Sequence, residues 1–258
     1  MKNLLRLIRS DFMKMRHTSF YYLHICLPII GVTIFLAYYS FSPWNTASKV
    51  SSYLQALAIA FPVIIGVVCE MTIEKEAEAG RFKEMLSTEY GRGMCLLSKI
   101  MLLLLSSMFS IAIAIGGFFI GFQYILKQNP FPFRFYIIAA LVFIVGEISI
   151  YLLHIWLSIK FGSGASIGMG IVEFLVSGLF VTSIGDNIWK VVPCSWTVRL
   201  VSNFFIREAG TADEFNHMAH MAYWIENSKG GMVNCIVFTI AIGILLFMWF
   251  NNFEGRDE

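Results

Sequence analysis

Six apolar stretches, separated by shorter polar connections, dominate the hydrophobic pattern of this 258-residue chain. They cover residues 20–39, 53–68, 94–122, 136–159, 165–181 and 232–250. An α-helix needs roughly 20 apolar residues to cross the hydrocarbon core of a bilayer. The second and fifth stretches are the shortest, and the third is long enough to tilt. The pattern predicts an all-α polytopic membrane protein with six transmembrane helices, forming a single transmembrane domain over residues 1–258.

A different period marks residues 1–17. One helical face carries Leu4, Leu5, Ile8, Phe12 and Met15, and the opposite face carries Lys2, Arg6, Arg9 and Arg16. A basic amphipathic helix of this kind lies in the membrane interface. The segment therefore predicts an interfacial elbow before the first span, although an orientation signal that merely anchors the chain has the same pattern.

Composition supports membrane residence and excludes several classes of protein. Hydrophobic residues make up 57% of the chain and charged residues 14%, whereas soluble domains carry about 25% charged residues. The net charge of +2 provides no field that attracts nucleic acid. The five cysteines are scattered without C-x-x-C pairs, which predicts neither a disulfide framework nor a zinc site.

The basic residues predict the orientation. Five of the 19 Lys and Arg residues lie in the N-terminal segment and five more in the 69–99 connection, on the same side as Lys160 and Arg256. The other side has seven. Because Lys and Arg concentrate in cytoplasmic loops, we expect both termini to be cytoplasmic.

The connection after the second span is rich in acids and in good helix formers, with Gly91 and Gly93 beyond it. It predicts a cytoplasmic helix over residues 70–89. Glu74, Glu78 and Arg81 share one face at helical spacing, and apolar residues such as Phe82 and Leu86 offer anchors for a groove on a partner. A solvated amphipathic linker explains the same composition.

Several segments resemble the permeases of lantibiotic-immunity ABC transporters, and the G-type subunits in particular. They are Tyr53-Leu-Gln-Ala-Leu-Ala-Ile-Ala-Phe-Pro62, Glu76-Ala-Glu-Ala-Gly80-Arg-Phe82, Leu86 and Ser98-Lys99, with Leu4…Phe12-Met-Lys14-Met-Arg16, Leu27-Pro28-Ile-Ile-Gly31 and Pro193…Trp196…Arg199-Leu200 in support. The resemblance implies the ABC-2 exporter class, with six spans per subunit and a first cytoplasmic loop that forms a coupling helix. The sister E-type subunits share this layout.

The resemblance also implies a function and partners. A G-type permease pairs with an E-type permease and two copies of a cytosolic ATPase in the bacterial cell membrane, and expels cationic lantibiotic-like peptides to give self-immunity or resistance. Glu76, Gly80, Phe82 and Leu86 match the coupling positions, which Glu74, Glu78 and Arg81 extend. Export of a lipid, a drug or a polysaccharide is the alternative.

ATP hydrolysis is expected on another chain. The sequence contains no G-x-x-x-x-G-K-[ST], and its main glycine cluster, 162–170, has no lysine to reach phosphates. We therefore expect no covalent catalysis and no bound cofactor in this chain, with ATP and magnesium held by the partner ATPase.

Two acids fall inside predicted spans, Glu147 and Glu173. Ionisable residues within a membrane usually face a bundle interior or a wet cavity. Glu147, Tyr151 and His154 follow at i, i+4 and i+7, hence on one face. The hypothesis is that this stripe and Glu173 line the substrate path, and the competing interpretation is a structural hydrogen-bond network.

Gly164-Ala-Ser166-Ile-Gly168 has the form G-x-S-x-G and resembles the serine motif of rhomboid intramembrane proteases. A serine nucleophile needs a neighbouring base. The last apolar stretch contains no histidine, and the intramembrane candidates are His24, near the opposite side, and His154, near the cytoplasmic end of the fourth span. The competing interpretation is that Gly162, Gly164, Gly168 and Gly170 allow helices to approach closely.

The connection 182–231, between the fifth and sixth spans, is too aromatic for a free coil. It predicts an extracellular helical loop packed at the outer membrane surface. The candidate contacts for an extracellular substrate are Trp189, Trp196, Asp213, Glu214, Trp224 and Glu226. His217 and His220 lack a third ligand for a metal, so a solvated helix face is expected there.

Overall fold

A computed structural model describes residues 2–209 and 217–256. Within these ranges the chain is helical and has no strand. The helices are α1 Lys2–Lys14, α2 Phe20–Phe41, α3 Thr46–Glu78, α4 Lys83–Leu86, α5 Arg92–Ile125, α6 Phe133–Phe161, α7 Ser163–Phe180, α8 Pro193–Ala209 and α9 His217–Asn251. Helix α5 contains two π-helical stretches, Ala112–Gly116 and Gly121–Ile125.

Five helices are long and apolar enough to cross a membrane. They are α2, α3, α5, α6 and the Ser228–Asn251 part of α9. This confirms a polytopic membrane protein. The predicted fifth span is the shorter apolar helix α7, so the described residues supply five spans by length and composition, and the sixth span stays a prediction.

Helix α3 is longer than the pattern predicted. The side chain of Asn45 caps its start by accepting from Ser48 N at 2.7 Å, and no break follows until Glu78. The predicted separate helix over 70–89 therefore needs correction. Residues 70–78 complete α3, because this stretch contains only helix-compatible residues up to Gly80, and a turn then leads into the four residues of α4.

Helix α3 lies at the centre and packs most extensively against α7. Glycines allow this approach: a Cβ on Gly66 would lie 2.8 Å from the carbonyl oxygen of Ser166, and a Cβ on Gly170 would lie 2.8 Å from that of Pro62. The predicted close packing is thus confirmed at Gly170. At Gly164 and Gly168 it is wrong, because a Cβ there would meet no atom within 4 Å.

Candidate functional site: a charge cluster and a buried polar chain

Four helices meet around a cluster of five charges, Asp11, Lys14, Glu76, Glu84 and Lys99, which we call the charge cluster. The Lys99 ammonium lies 2.6 Å from Asp11 Oδ1 and 2.6 Å from Glu76 Oε1. The Lys14 ammonium bridges Glu76 Oε1 at 3.0 Å and Glu84 Oε2 at 2.8 Å. The cluster therefore ties α1 to the end of α3, to α4 and to the start of α5.

Because three charges of the cluster are buried, each of them needs an oppositely charged partner. Asp11, Glu76 and Lys99 are at most 6% exposed, and a buried charge that loses its partner is strongly destabilising. The Ser98 hydroxyl also donates to Asp11. Burial alone would lower the pKa of Lys14, but its hydrogen bonds to Glu84 and Glu76 outweigh this and raise it above the usual value. Lys14 therefore remains charged at physiological pH.

Sequence reasoning missed this cluster, although a signal for Asp11 was present. Asp11 lies three residues after Ile8 and seven after Leu4, on the apolar face of α1 rather than its basic face. A carboxylate on the face that packs against neighbours needs a buried cation. Nothing local indicated that Lys99, 88 residues later, supplies it.

A left-handed turn separates α3 from α4. Backbone φ is +155° at Gly80, +53° at Arg81 and +63° at Phe82, and a bulky residue rarely adopts a positive φ. The turn is held because Phe82 N donates to Glu76 O at 3.1 Å. In addition, the Phe82 ring lies 5.7 Å from the Phe253 ring and beneath the Arg256 guanidinium.

The structure divides the residues predicted to couple to an ATPase. Glu76 and Phe82 are buried inside the subunit, so the expectation that they present side chains to a partner needs correction. Glu78 and Arg81 are exposed on the surface of the turn. The remaining three, Glu74, Gly80 and Leu86, are partly exposed. The first two residues thus shape the turn, and the exposed ones lie on its surface.

A second polar group lies deeper, where α3, α6 and α7 meet. His154 Nδ1 lies 2.9 Å from Ser166 Oγ, His154 Nε2 lies 2.8 Å from Glu173 Oε2, and the Ser166 hydroxyl donates to Gly66 O at 2.9 Å. We call Ser166, His154 and Glu173 the buried polar chain. It joins two of the residues that the sequence placed in a polar network or substrate path.

The buried polar chain has the residue types of a hydrolytic triad but not its proton arrangement. A serine nucleophile passes its proton to the histidine, whereas the single hydroxyl proton of Ser166 is directed to Gly66 O. Ser166 and His154 are also completely inaccessible. The chain therefore acts as a hydrogen-bonded link between helices. Of the two histidines that the sequence offered as a base for Ser166, the neighbour is His154 and not His24.

The predicted stripe on α6 is only partly joined to this chain. Glu147 is 3% exposed, and neither of its carboxylate oxygens has a hydrogen-bond partner among the described residues. Tyr151 lies one turn further along and lines a cavity of about 460 Å³ between α2, α3 and α5. Such a volume is within the range of ligand pockets. Its lining is mainly apolar, with His24, Ser107 and Ser110 as polar groups.

The segment after α7 folds back among the spans. Trp189 and Trp196 are 1% exposed, so their prediction as extracellular substrate contacts needs correction. The Trp196 ring packs 5.5 Å from that of Phe238, and its Nε1 donates to Lys190 O at 3.0 Å. Both indoles thereby fasten α8 and its preceding turn to α9.

The other predicted contacts in this segment have different positions. Glu226 is exposed on α9. Asp213 and Glu214 lie outside the described residues, as do the side chains of Trp224, His217 and His220.

Comparison with known proteins identifies the family. No curated protein and no solved structure matches the chain. A family model described as "ABC-2 family transporter protein" matches residues 7–178, more than half of the chain. The match includes most of α1 and continues into α7, so it contains both the charge cluster and the buried polar chain. The chain therefore belongs to the ABC-2 transporter family and is the membrane-spanning permease component of an ABC transporter, a class that works with an ABC ATPase.

Proposed function

We propose that this permease expels lantibiotics or related antimicrobial peptides from the bacterial cell membrane and so gives self-immunity or resistance. The observation that supports this cargo most is the cavity beside α2. Helix α2 is mostly exposed along its apolar length, and the cavity behind it combines apolar walls with a few polar groups. An amphipathic peptide lying in the membrane has matching chemistry.

The proposed complex contains two cytosolic ATPases, which hold ATP and magnesium, and a second, E-type permease. Both termini of this chain are cytoplasmic in the proposal, which places the charge cluster and the turn at Gly80 on the ATPase side. Closure of the ATPases pushes on this turn. Because the charge cluster ties the turn to α1 and α5, the push moves three helices together between two states.

A protection assay tests the cargo. The permease is expressed in a sensitive bacterium with its ATPase and second permease, and the lantibiotic concentration that stops growth is measured. We expect protection that disappears when the P-loop lysine of the ATPase is replaced. Full expression of the assembled complex without protection would reject the peptide cargo.

The same cells distinguish other cargoes. Protection against unrelated drugs, or altered lipid or polysaccharide at the cell surface, with no change in lantibiotic sensitivity would favour the alternative of a different exporter. Neighbouring genes offer an independent check, since a two-component regulator favours peptide immunity and a glycosyltransferase cluster favours polysaccharide export.

The docking site has its own test. Charge reversal at the exposed residues Glu78 and Arg81, as Glu78→Lys and Arg81→Glu, should lower the amount of ATPase that co-purifies with the permease, and thermal unfolding checks that each variant is folded. Lys127→Glu, an exposed charge at the opposite end of the bundle, is the matched control. Undiminished ATPase in both turn variants would contradict the docking assignment.

A further inference from the structure

A second pocket, of about 580 Å³, lies at the end of the bundle opposite α1. It is formed where α6 begins, where α8 ends and where α9 enters the bundle. Its floor is apolar and consists of Phe135, Ile138, Val142, Leu200, Phe204 and Met232. The pocket is separate from the cavity beside α2, since the two share no lining residue.

The rim of this pocket is positively charged. Arg134, Arg207 and Lys229 line it and are exposed, and Glu208 is the carboxylate among its lining residues. Arg207 Nε forms an ion pair with Glu208 Oε1 at 3.8 Å. Three cations against one carboxylate among the described lining residues give the rim an excess of positive charge, which favours an anion and disfavours a cationic peptide.

The wall of the pocket contains an unused acceptor. Asn203 is 3% exposed and lines the pocket. Its Nδ2 donates to Ser228 Oγ at 2.9 Å, but its Oδ1 has no hydrogen-bond partner among the described residues. A buried polar atom without a partner costs free energy, and nearly all such atoms find one. A ligand with a hydroxyl donor would satisfy Asn203 Oδ1.

We propose that this pocket binds an anionic phospholipid whose headgroup carries a hydroxyl group, for which phosphatidylglycerol is the probe. The phosphodiester is attracted by Arg134, Arg207 and Lys229, the headgroup hydroxyl donates to Asn203 Oδ1, and an acyl chain covers the apolar floor. That floor favours a lipid over a soluble phosphate, since burying apolar surface stabilises only the lipid. The site does not depend on which cargo the permease moves.

Native mass spectrometry of the purified permease in detergent tests the proposal by counting retained lipids. We expect phosphatidylglycerol to bind about tenfold more tightly than phosphatidylcholine with the same acyl chains, the combined effect of two or three exposed ion pairs. The preference should decrease as salt rises. Phosphatidylmethanol keeps the charge but has no headgroup hydroxyl, so it should bind several-fold more weakly than phosphatidylglycerol.

Variants locate the site. The double variant Arg134→Gln and Arg207→Gln should lose most of the preference for phosphatidylglycerol. Lys127→Gln, an exposed basic residue at the same end but outside the pocket, should keep it. Thermal unfolding in phosphatidylcholine verifies that the variants fold. If a variant does not fold, the lipid preferences of the wild type still test the proposal.

Three results would overturn it. They are equal binding of the two lipids by the wild type, an equal loss in the Lys127 control, and displacement of the lipid by glycerol phosphate at the same concentration. The last result would indicate a site for a soluble anion.

Discussion

Replacement of Lys99 by methionine tests the role of the charge cluster most directly. Lys99→Met keeps the length of the side chain and removes the ammonium that contacts Asp11 and Glu76, both at 2.6 Å. Asp11 then retains the Ser98 hydroxyl, and Glu76 retains Lys14. The variant therefore leaves one buried carboxylate, that of Asp11, without a cation.

The expected loss follows from burial. Removing one partner of a buried ion pair costs about 3–5 kcal/mol, and we expect about 3 kcal/mol because the neighbouring groups still neutralise Glu76 and solvate Asp11. For a chain of this size, 1 kcal/mol corresponds to about 2–4 °C in Tm. Lys99→Met should therefore lower Tm by about 10 °C.

Thermal unfolding of the purified permease, followed by tryptophan fluorescence, measures the effect. The matched control is Lys75→Met, which removes a lysine that pairs with Glu78 at 2.8 Å on the exposed surface of α3, the helix that carries Glu76. Exposed pairs contribute little, so this control should unfold close to the wild type. A second variant, Asp11→Asn with Lys99→Met, removes both charges and keeps an acceptor for Ser98, so it should recover most of the lost Tm.

Equal losses of Tm in Lys99→Met and Lys75→Met would refute the reasoning, because burial would then make no difference to the two ion pairs. The same conclusion would follow if Asp11→Asn failed to rescue Lys99→Met while remaining folded on its own.

Three further predictions concern the helices around the polar chain. Gly170→Ala should destabilise the permease by about 1–3 kcal/mol, because its Cβ would meet the α3 backbone, whereas Gly168→Ala should leave Tm unchanged; equal Tm values would contradict this. Ser166→Ala should lower the free energy of unfolding by about 1 kcal/mol, because hydrogen bonds are lost. The wild-type protein should not be labelled by a fluorophosphonate probe. Labelling that is present in the wild type and lost in the variant would support the protease interpretation. Glu147→Leu should raise Tm, because it removes a buried carboxyl that has no hydrogen-bond partner among the described residues. If Glu147 lines the substrate path, the same variant should also abolish peptide protection. Unchanged protection would exclude Glu147 from that path.

The membrane class was predictable from the sequence because it depends on local properties. Apolar length identifies a span without knowledge of its neighbours, and the five long apolar helices together with the amphipathic α1 followed directly. The span over residues 165–181 stays a prediction, because these residues form the shorter helix α7. The packing of α7 against α3 depends on Gly66, a residue that the pattern did not single out.

The candidate site was less predictable because its pairs are distant in sequence. Glu76 and Phe82 fell at the expected coupling positions, yet they are buried, since Lys99 comes from α5 and Phe253 from the segment after α9. The acidic composition of the connection indicated a surface, and it did not show which acids face inward. Helical spacing alone does not distinguish an exposed acid from a buried one, because burial depends on which other helices pack against that face.

Helix α3 links the two polar groups mechanically. Glu76 belongs to the charge cluster, and Gly66, ten residues earlier, accepts from the buried polar chain, which corresponds to about 15 Å along a continuous helix. Pro62 lies one turn beyond Gly66 and removes a helical hydrogen bond there. A displacement at the turn after α3 is therefore transmitted rigidly along α3, past the charge cluster and the buried polar chain, as far as Pro62. Since His154 and Ser166 attach this rigid part to α6 and α7, these two helices should move with α3, while the part of α3 before Pro62 is free to respond differently.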